Sequence, residues 1–270
     1  MESIYEDFRG SLGDRWKTLV TRHASLERSA DGLRFAVCDV PAGRYSDAQI
    51  DDYQGLPRRR FPWRPPVRLT VRARFSRAGA ATDVVPSASL RGTAGFGFWN
   101  DPFLMTGLRW PALPRAVWFF YASPPSNLKL ALDTPGFGWK AATLDASRPT
   151  ALLWGAAAPV LLPLMNVRRL YRALWPRVQR ALRIAECALE ADMTAWHTYR
   201  LDWGREEVTF WVDSVPVLEA APAPRGPLGF VMWLDNQTMS ATPWGQLRHS
   251  LLAVDGCQWM EVAQLAIEPA

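Results

Sequence analysis

Two alternating runs near the C-terminal third constrain this chain most: Trp196-His197-Thr198-Tyr199-Arg200-Leu201-Asp202-Trp203 and Val208-Thr209-Phe210-Trp211-Val212-Asp213. Only Gly204-Arg205-Glu206-Glu207 separates them. Aromatic and β-branched residues recurring every second position suit a pleated surface with one buried face, and the short polar connection makes the pair a β-hairpin. Any fold for this chain has to bury one side of that hairpin against a second sheet.

Further alternating runs point the same way. Val67-Arg68-Leu69-Thr70-Val71-Arg72-Ala73-Arg74-Phe75 puts five apolar residues on one face and its arginines on the other. Leu33 to Val40 follows an Asp-Gly turn signal and alternates likewise. Strands are expected at Ala94 to Asn100, Ala116 to Tyr121 and Leu128 to Leu132, each bounded by Pro, Gly or Asn, and again at Leu228 to Gln237 and Gln258 to Ile267. Residues 1 to 20 read as an opening strand and turn anchored by Phe8, Trp16 and Leu19. Residues 41 to 66 read as loop, with a basic run at Arg58-Arg59-Arg60, and so do residues 220 to 227 and 238 to 250.

A W-H-x-Y-x-x-x-W strand, a tight turn and a V-x-F-x-V-D strand resemble the central hairpin of the concanavalin A-like lectin and glucanase sandwiches. The nearest group is the laminarinase-like glycoside hydrolase clan. The resemblance covers roughly residues 194 to 268 and, more loosely, the strands from 30 to 132. It implies an all-β, antiparallel two-sheet jelly-roll sandwich spanning residues 1 to 270. Members of that clan hydrolyse β-glucans with carboxylates in an E-x-D-x-x-E pattern, because retention of configuration needs two carboxyl groups about 5 Å apart. This sequence contains no E-x-D-x-x-E, and the nearest positional counterpart, Gly95 to Asp101, holds a single acid. The resemblance therefore carries over no catalytic residue.

Residues 150 to 193 break the strand pattern and are expected to form a helical insertion. Pro149 to Val167 is uncharged. From Val167 to Leu189, apolar residues at 170, 171, 174, 178, 181, 182, 185 and 189 follow helical spacing, with Arg168, Arg169, Arg172, Arg177, Arg180 and Arg183 opposite. Pro176 is expected to kink or split the run. Pro159 and Pro163 argue against a membrane span. The amphipathic face has three readings: packing on the sandwich, peripheral contact with an anionic membrane through residues 167 to 189, or an interface with another copy.

The net charge of +5 comes almost wholly from arginine, and no nucleic-acid motif accompanies it. Cys38, Cys187 and Cys257 are widely spaced, which indicates neither a zinc site nor a disulfide framework. With an acidic N-terminal stretch lacking an apolar leader, the expectation is a reduced, cytoplasmic protein. No metal or cofactor is expected, and no phosphate-binding glycine loop, G-x-S-x-G or H-E-x-x-H occurs.

With fourteen Trp in 270 residues, an aromatic-lined cleft is a natural expectation. Trp99, Asn100 and Asp101 close one expected strand, and Trp233, Asp235, Asn236 and Gln237 close another. Apolar walls with a few directed polar groups make a ligand site. Trp118, Tyr121 and His197 are added as lining residues, and Asp101 and Asp235 as the acid-base candidates. The expected function is non-hydrolytic binding of a small organic or glycan-like ligand. The alternative is an isomerase, cyclase or lyase acting on a largely apolar substrate, and a third reading is a peripheral membrane or scaffold protein.

Overall fold

The computed structural model describes residues 3–79, 89–102 and 109–270. Its strands are β1 (Ile4–Glu6), β2 (Lys17–Val20), β3 (Ala24–Arg28), β4 (Leu33–Val40), β5 (Asp47–Asp51), β6 (Val67–Phe75), β7 (Thr93–Trp99), β8 (Arg115–Ala122) and β9 (Gly138–Asp145). Three helices follow, α1 (Pro149–Ala156), α2 (Ala158–Met165) and α3 (Arg168–Ala181). The chain then continues through β10 (Ala185–Ala188), β11 (His197–Trp203), β12 (Glu207–Val212), β13 (Val215–Pro222), β14 (Gly229–Asp235), β15 (Gln237–Ala241), β16 (Leu247–Leu251) and β17 (Val254–Pro269).

These strands form two large antiparallel sheets. One runs β13-β12-β11-β6-β17-β4-β3, with β1 also on β17; the other runs β10-β9-β8-β7-β14-β5-β2. The core lies between them. Its members come from the apolar side of each alternating run: Leu69, Val71 and Phe75 of β6 meet Phe96, Phe98, Phe119, Tyr199 and Phe210 there, all at most 1% exposed. The 196–213 hairpin forms, with Trp203 opposite Val208, and the Trp203 ring lies in the core 5.4 Å from that of Phe98. Burial of both faces of β7 is why that strand reads as a continuous apolar run rather than an alternating one.

Several local expectations need correction. Residues 47–51, expected as loop, are β5, a strand buried at every position. Ala48 and Ile50 enter the core while Asp47, Gln49 and Asp51 face outward, so the polar half hides the period. Leu128 to Leu132 is not a strand; Leu130 and Leu132 pack under the helices with Trp175 and Ile184. Residues 220–222 belong to β13, and residues 238–250 contribute to the β15-β16 hairpin. The insertion is helical only to Ala181, and Ala185–Ala188 adds an edge strand to β9. Pro176 neither splits nor ends α3, which is one fourteen-residue helix. Cys38 and Cys257 are opposite one another on β4 and β17 and form a disulfide, a pairing that a sequence separation of 219 conceals.

Candidate functional site

The outer face of the second sheet positions the site. Antiparallel register places Asp47, Gln49 and Asp51 of β5 beside Asp235, Trp233 and Val231 of β14. The row continues through Thr93, Gly95, Gly97 and Trp99 of β7 to Ala122, Phe120, Trp118 and Ala116 of β8. Because side chains alternate across a strand, all of these share one side of the sheet.

Its centre is aromatic. Trp118 lies 5.9 Å from Trp99, 5.4 Å from Phe120 and 5.7 Å from Trp233 by ring centroids. Glycine makes room for this field: a Cβ on Gly95 would fall 2.3 Å from the Phe119 carbonyl oxygen and 2.9 Å from the Trp233 ring. Neighbouring tryptophans thus occupy the space beside the bare positions at 95 and 97. Trp118 and Phe120 remain half-exposed.

One end of the field is carboxylic. The Asp235 carboxylate accepts from the Thr93 hydroxyl at 2.8 Å, the Thr93 and Gln237 backbone amides, and the Gln237 side-chain amide at 2.8 Å. Thr93 also accepts from the Trp233 indole at 2.9 Å, so the ring is oriented through Thr93 by Asp235. Asp47 accepts from the Tyr45 hydroxyl at 3.0 Å, and its Oδ1 is buried with no hydrogen-bond partner. Burial pushes the Asp235 carboxyl up to about 6. Burial, reinforced by neighbouring Asp235, holds Asp47 well above the usual carboxylate range. The pair thus retains a proton at pH values where a free aspartate has lost it. Tyr45 and Gln237 are the half-exposed ends of this network. A cavity of about 610 Å³ opens beyond the same end of β7 and β8, with Arg91, Ser126, Asn127 and Lys129 in its wall.

The other end is closed. Tyr53 and Phe61 of the 52–66 loop are at most 1% exposed and pack on Trp99, whose indole donates to the Tyr53 hydroxyl at 2.7 Å. Arg109 caps them, pairing with Asp101 at 2.6 Å while lying over both rings. Arg58 donates to the carbonyls of Asn100 and Asp101. The basic run therefore acts here through Arg58 as a tether for the loop.

No family model matches the chain, and no curated protein does. Among solved structures, a Crh5 transglycosylase in complex with NAG superposes with a TM-score of 0.51 at 12% identity, covering 99% of this chain and 84% of that one. The apo Crh5 transglycosylase gives 0.50 at 13% identity with the same coverage. The fold is a concanavalin A-like jelly-roll sandwich of two antiparallel sheets. At such identities the likeness is one of fold.

On this concanavalin A-like sandwich the expected site residues separate. Trp99, Trp118 and Trp233 share the outer face, with Asp235 and Gln237 at one end. Asp101 follows the far end of β7, because antiparallel pairing sets Trp99 against Gly229 and Thr93 against Asp235. Asp101 lies eight residues along the chain from Thr93, which stands level with Asp235, and β7 alone accounts for about 20 Å of that separation, so the two expected acids stand at opposite ends of the strand. Asn100 and Asn236 are clamps whose amides bond backbone groups, Leu113 and Arg115 for the first, Ser46, Arg44 and Leu252 for the second. Tyr121 is on the wrong side of β8: it is fully buried between the sheets and donates to the Leu90 carbonyl. His197 belongs to the other sheet and pairs with Asp213 at 2.5 Å. Tyr45, Asp47, Gln49, Thr93 and Phe120 join the site without having been expected in it; the i, i+2 spacing of Asp47 and Gln49 puts them on one face only once residues 47–51 are a strand. Among the described residues no cluster of three or more His, Cys, Asp or Glu could hold a metal ion.

Proposed function

We propose that this sandwich binds a glycan-like ligand on the outer face of its β10-β2 sheet and does not hydrolyse it. One observation carries the reading: an aromatic field of Trp118, Phe120 and Trp233 ends in the Tyr45-Asp47-Asp235-Gln237 network. Sugar rings present flat C–H faces and hydroxyl edges, which suits aromatic stacking beside directed donors and acceptors. The Crh5 transglycosylase with NAG shares the fold and makes glycans the first ligand class to test. Titration calorimetry against β-glucan and N-acetylglucosamine oligosaccharides is the experiment. Binding that is lost in Trp118→Ala, without release of reducing ends by the wild type, supports the proposal; no binding to any oligosaccharide overturns it.

A second reading rests on the raised carboxyls of Asp47 and Asp235, which suit proton transfer to a largely apolar substrate. An acid-base enzyme would keep its affinity and lose turnover in Asp47→Asn, whereas a binding protein has no turnover to lose.

A further inference from the structure

The helical insertion leaves a surface that the glycan reading does not use. From Pro149 to Val167 there is no charged residue, yet α1 and α2 are largely exposed. Leu153 is 72% exposed and Val160 68%, and Leu152, Leu162, Leu164 and Val167 are exposed too. Every accessible position on these two helices is therefore apolar or uncharged, and contiguous exposed apolar surface of this kind marks an interaction site. An apolar cavity of about 430 Å³ opens among the three helices, with Leu152, Trp154, Leu161, Leu162 and Met165 in its wall.

The adjoining α3 supplies the complementary charge. Its apolar side is spent on the sandwich: Tyr171 and Trp175 are buried, and the Trp175 indole donates to the Leu130 carbonyl at 2.8 Å. Arg168, Arg169, Arg172, Arg177 and Arg180 are exposed. From Pro149 to Ala185 the chain holds six arginines, no lysine and no acid. A cationic helix that carries no acid of its own, beside a charge-free apolar pair, matches the layering of an anionic bilayer, in which acyl chains lie beneath a negative headgroup plane. A second protein copy would meet the same six positive charges, which repel it. Among the described residues no helix is long and apolar enough to cross a membrane.

We propose that α1 and α2 insert into the headgroup–acyl boundary of an anionic lipid bilayer while the arginines of α3 bind its surface. The test is co-sedimentation with phosphatidylcholine vesicles with and without phosphatidylglycerol, using the full chain. Sedimentation is expected only with the anionic vesicles, to fall with added salt, and to drop about tenfold in Arg169→Ser/Arg172→Ser. Leu153→Ser/Val160→Ser, both at exposed positions, should also abolish it. Wild-type tryptophan emission should be quenched by anionic vesicles with brominated acyl chains, which reads insertion without any variant. No sedimentation with anionic vesicles overturns the proposal, as does a concentration-dependent dimer that Leu153→Ser/Val160→Ser dissociates. Neither outcome bears on oligosaccharide binding at Trp118.

Discussion

Asp47 and Asp235 stand directly opposite one another on adjacent antiparallel strands, 1% and 3% exposed, and Asp47 Oδ1 has no hydrogen-bond donor. Directly opposed side chains have Cβ atoms about 5 Å apart, close enough that two buried carboxylates repel strongly unless one keeps its proton.

The pair should therefore cost stability as pH rises. Both carboxyls titrate above their unfolded range, Asp235 at about 6. The folded state thus binds more protons than the unfolded chain between about pH 4 and pH 6, and stability falls through that window and stays lower above it. Asp47→Asn keeps an acceptor for Tyr45 and offers its amide to Asp235. Urea unfolding should show the variant more stable than wild type by about 1–3 kcal/mol at about pH 7.5, and little different at about pH 4. Equal loss of stability at both pH values would remove the shared-proton account.

Gly95→Ala should destabilise the fold although it adds one methyl group. The new Cβ would press on the Phe119 backbone oxygen and the Trp233 ring. Overpacking of this kind costs about 1–3 kcal/mol. Thermal unfolding measures it, and Gly95→Ala/Trp233→Leu should recover part of the loss. An unchanged melting temperature in the single variant would show that the strand moves freely.

Lys140 and Glu186 form a buried ion pair at 3.1 Å. Lys140 also donates to the Pro135 carbonyl at 2.6 Å, and Glu186 accepts from the Leu130 and Ala131 amides, so the pair fastens the 128–136 loop beneath α3. Lys140→Met strands a buried carboxylate and should cost about 3–5 kcal/mol in denaturant unfolding. A loss under 1 kcal/mol, on the order of an exposed pair, would mean that water reaches Glu186.

The Cys38–Cys257 disulfide joins β4 to β17 across a separation of 219 residues. Intact mass before and after reduction should differ by two hydrogens. Reduction or Cys257→Ser should lower stability by about 2–4 kcal/mol, chiefly by freeing the unfolded chain. Free thiol at all three cysteines in the protein as isolated would contradict the pairing.

Elements with one wet face and one dry face are legible in residue spacing alone. β6 alternates at every position and spans Val67–Phe75 as expected, and β11 and β12 pair as the hairpin motif implies. β5 is not legible in this way, because Asp-Ala-Gln-Ile-Asp looks like a polar turn until a second layer buries both of its faces. Leu128 to Leu132 shows the converse: Leu130 and Leu132 alternate, but what they meet is a helix. The aromatic half of the site is visible in the sequence as Trp99, Trp118 and Trp233, whereas Asp47 enters only with β5.

What the sequence determined by itself was local: the alternation that makes strands, the arginine-only charge of residues 149 to 185, and the absence of an E-x-D-x-x-E strand. Those depend on residue type and spacing along one stretch of chain. Which acids meet was decided only in three dimensions. Antiparallel register sends Asp101 to the far end of β7 and brings Asp47 against Asp235 from 188 positions away, and no periodicity within either strand encodes the partner it pairs with.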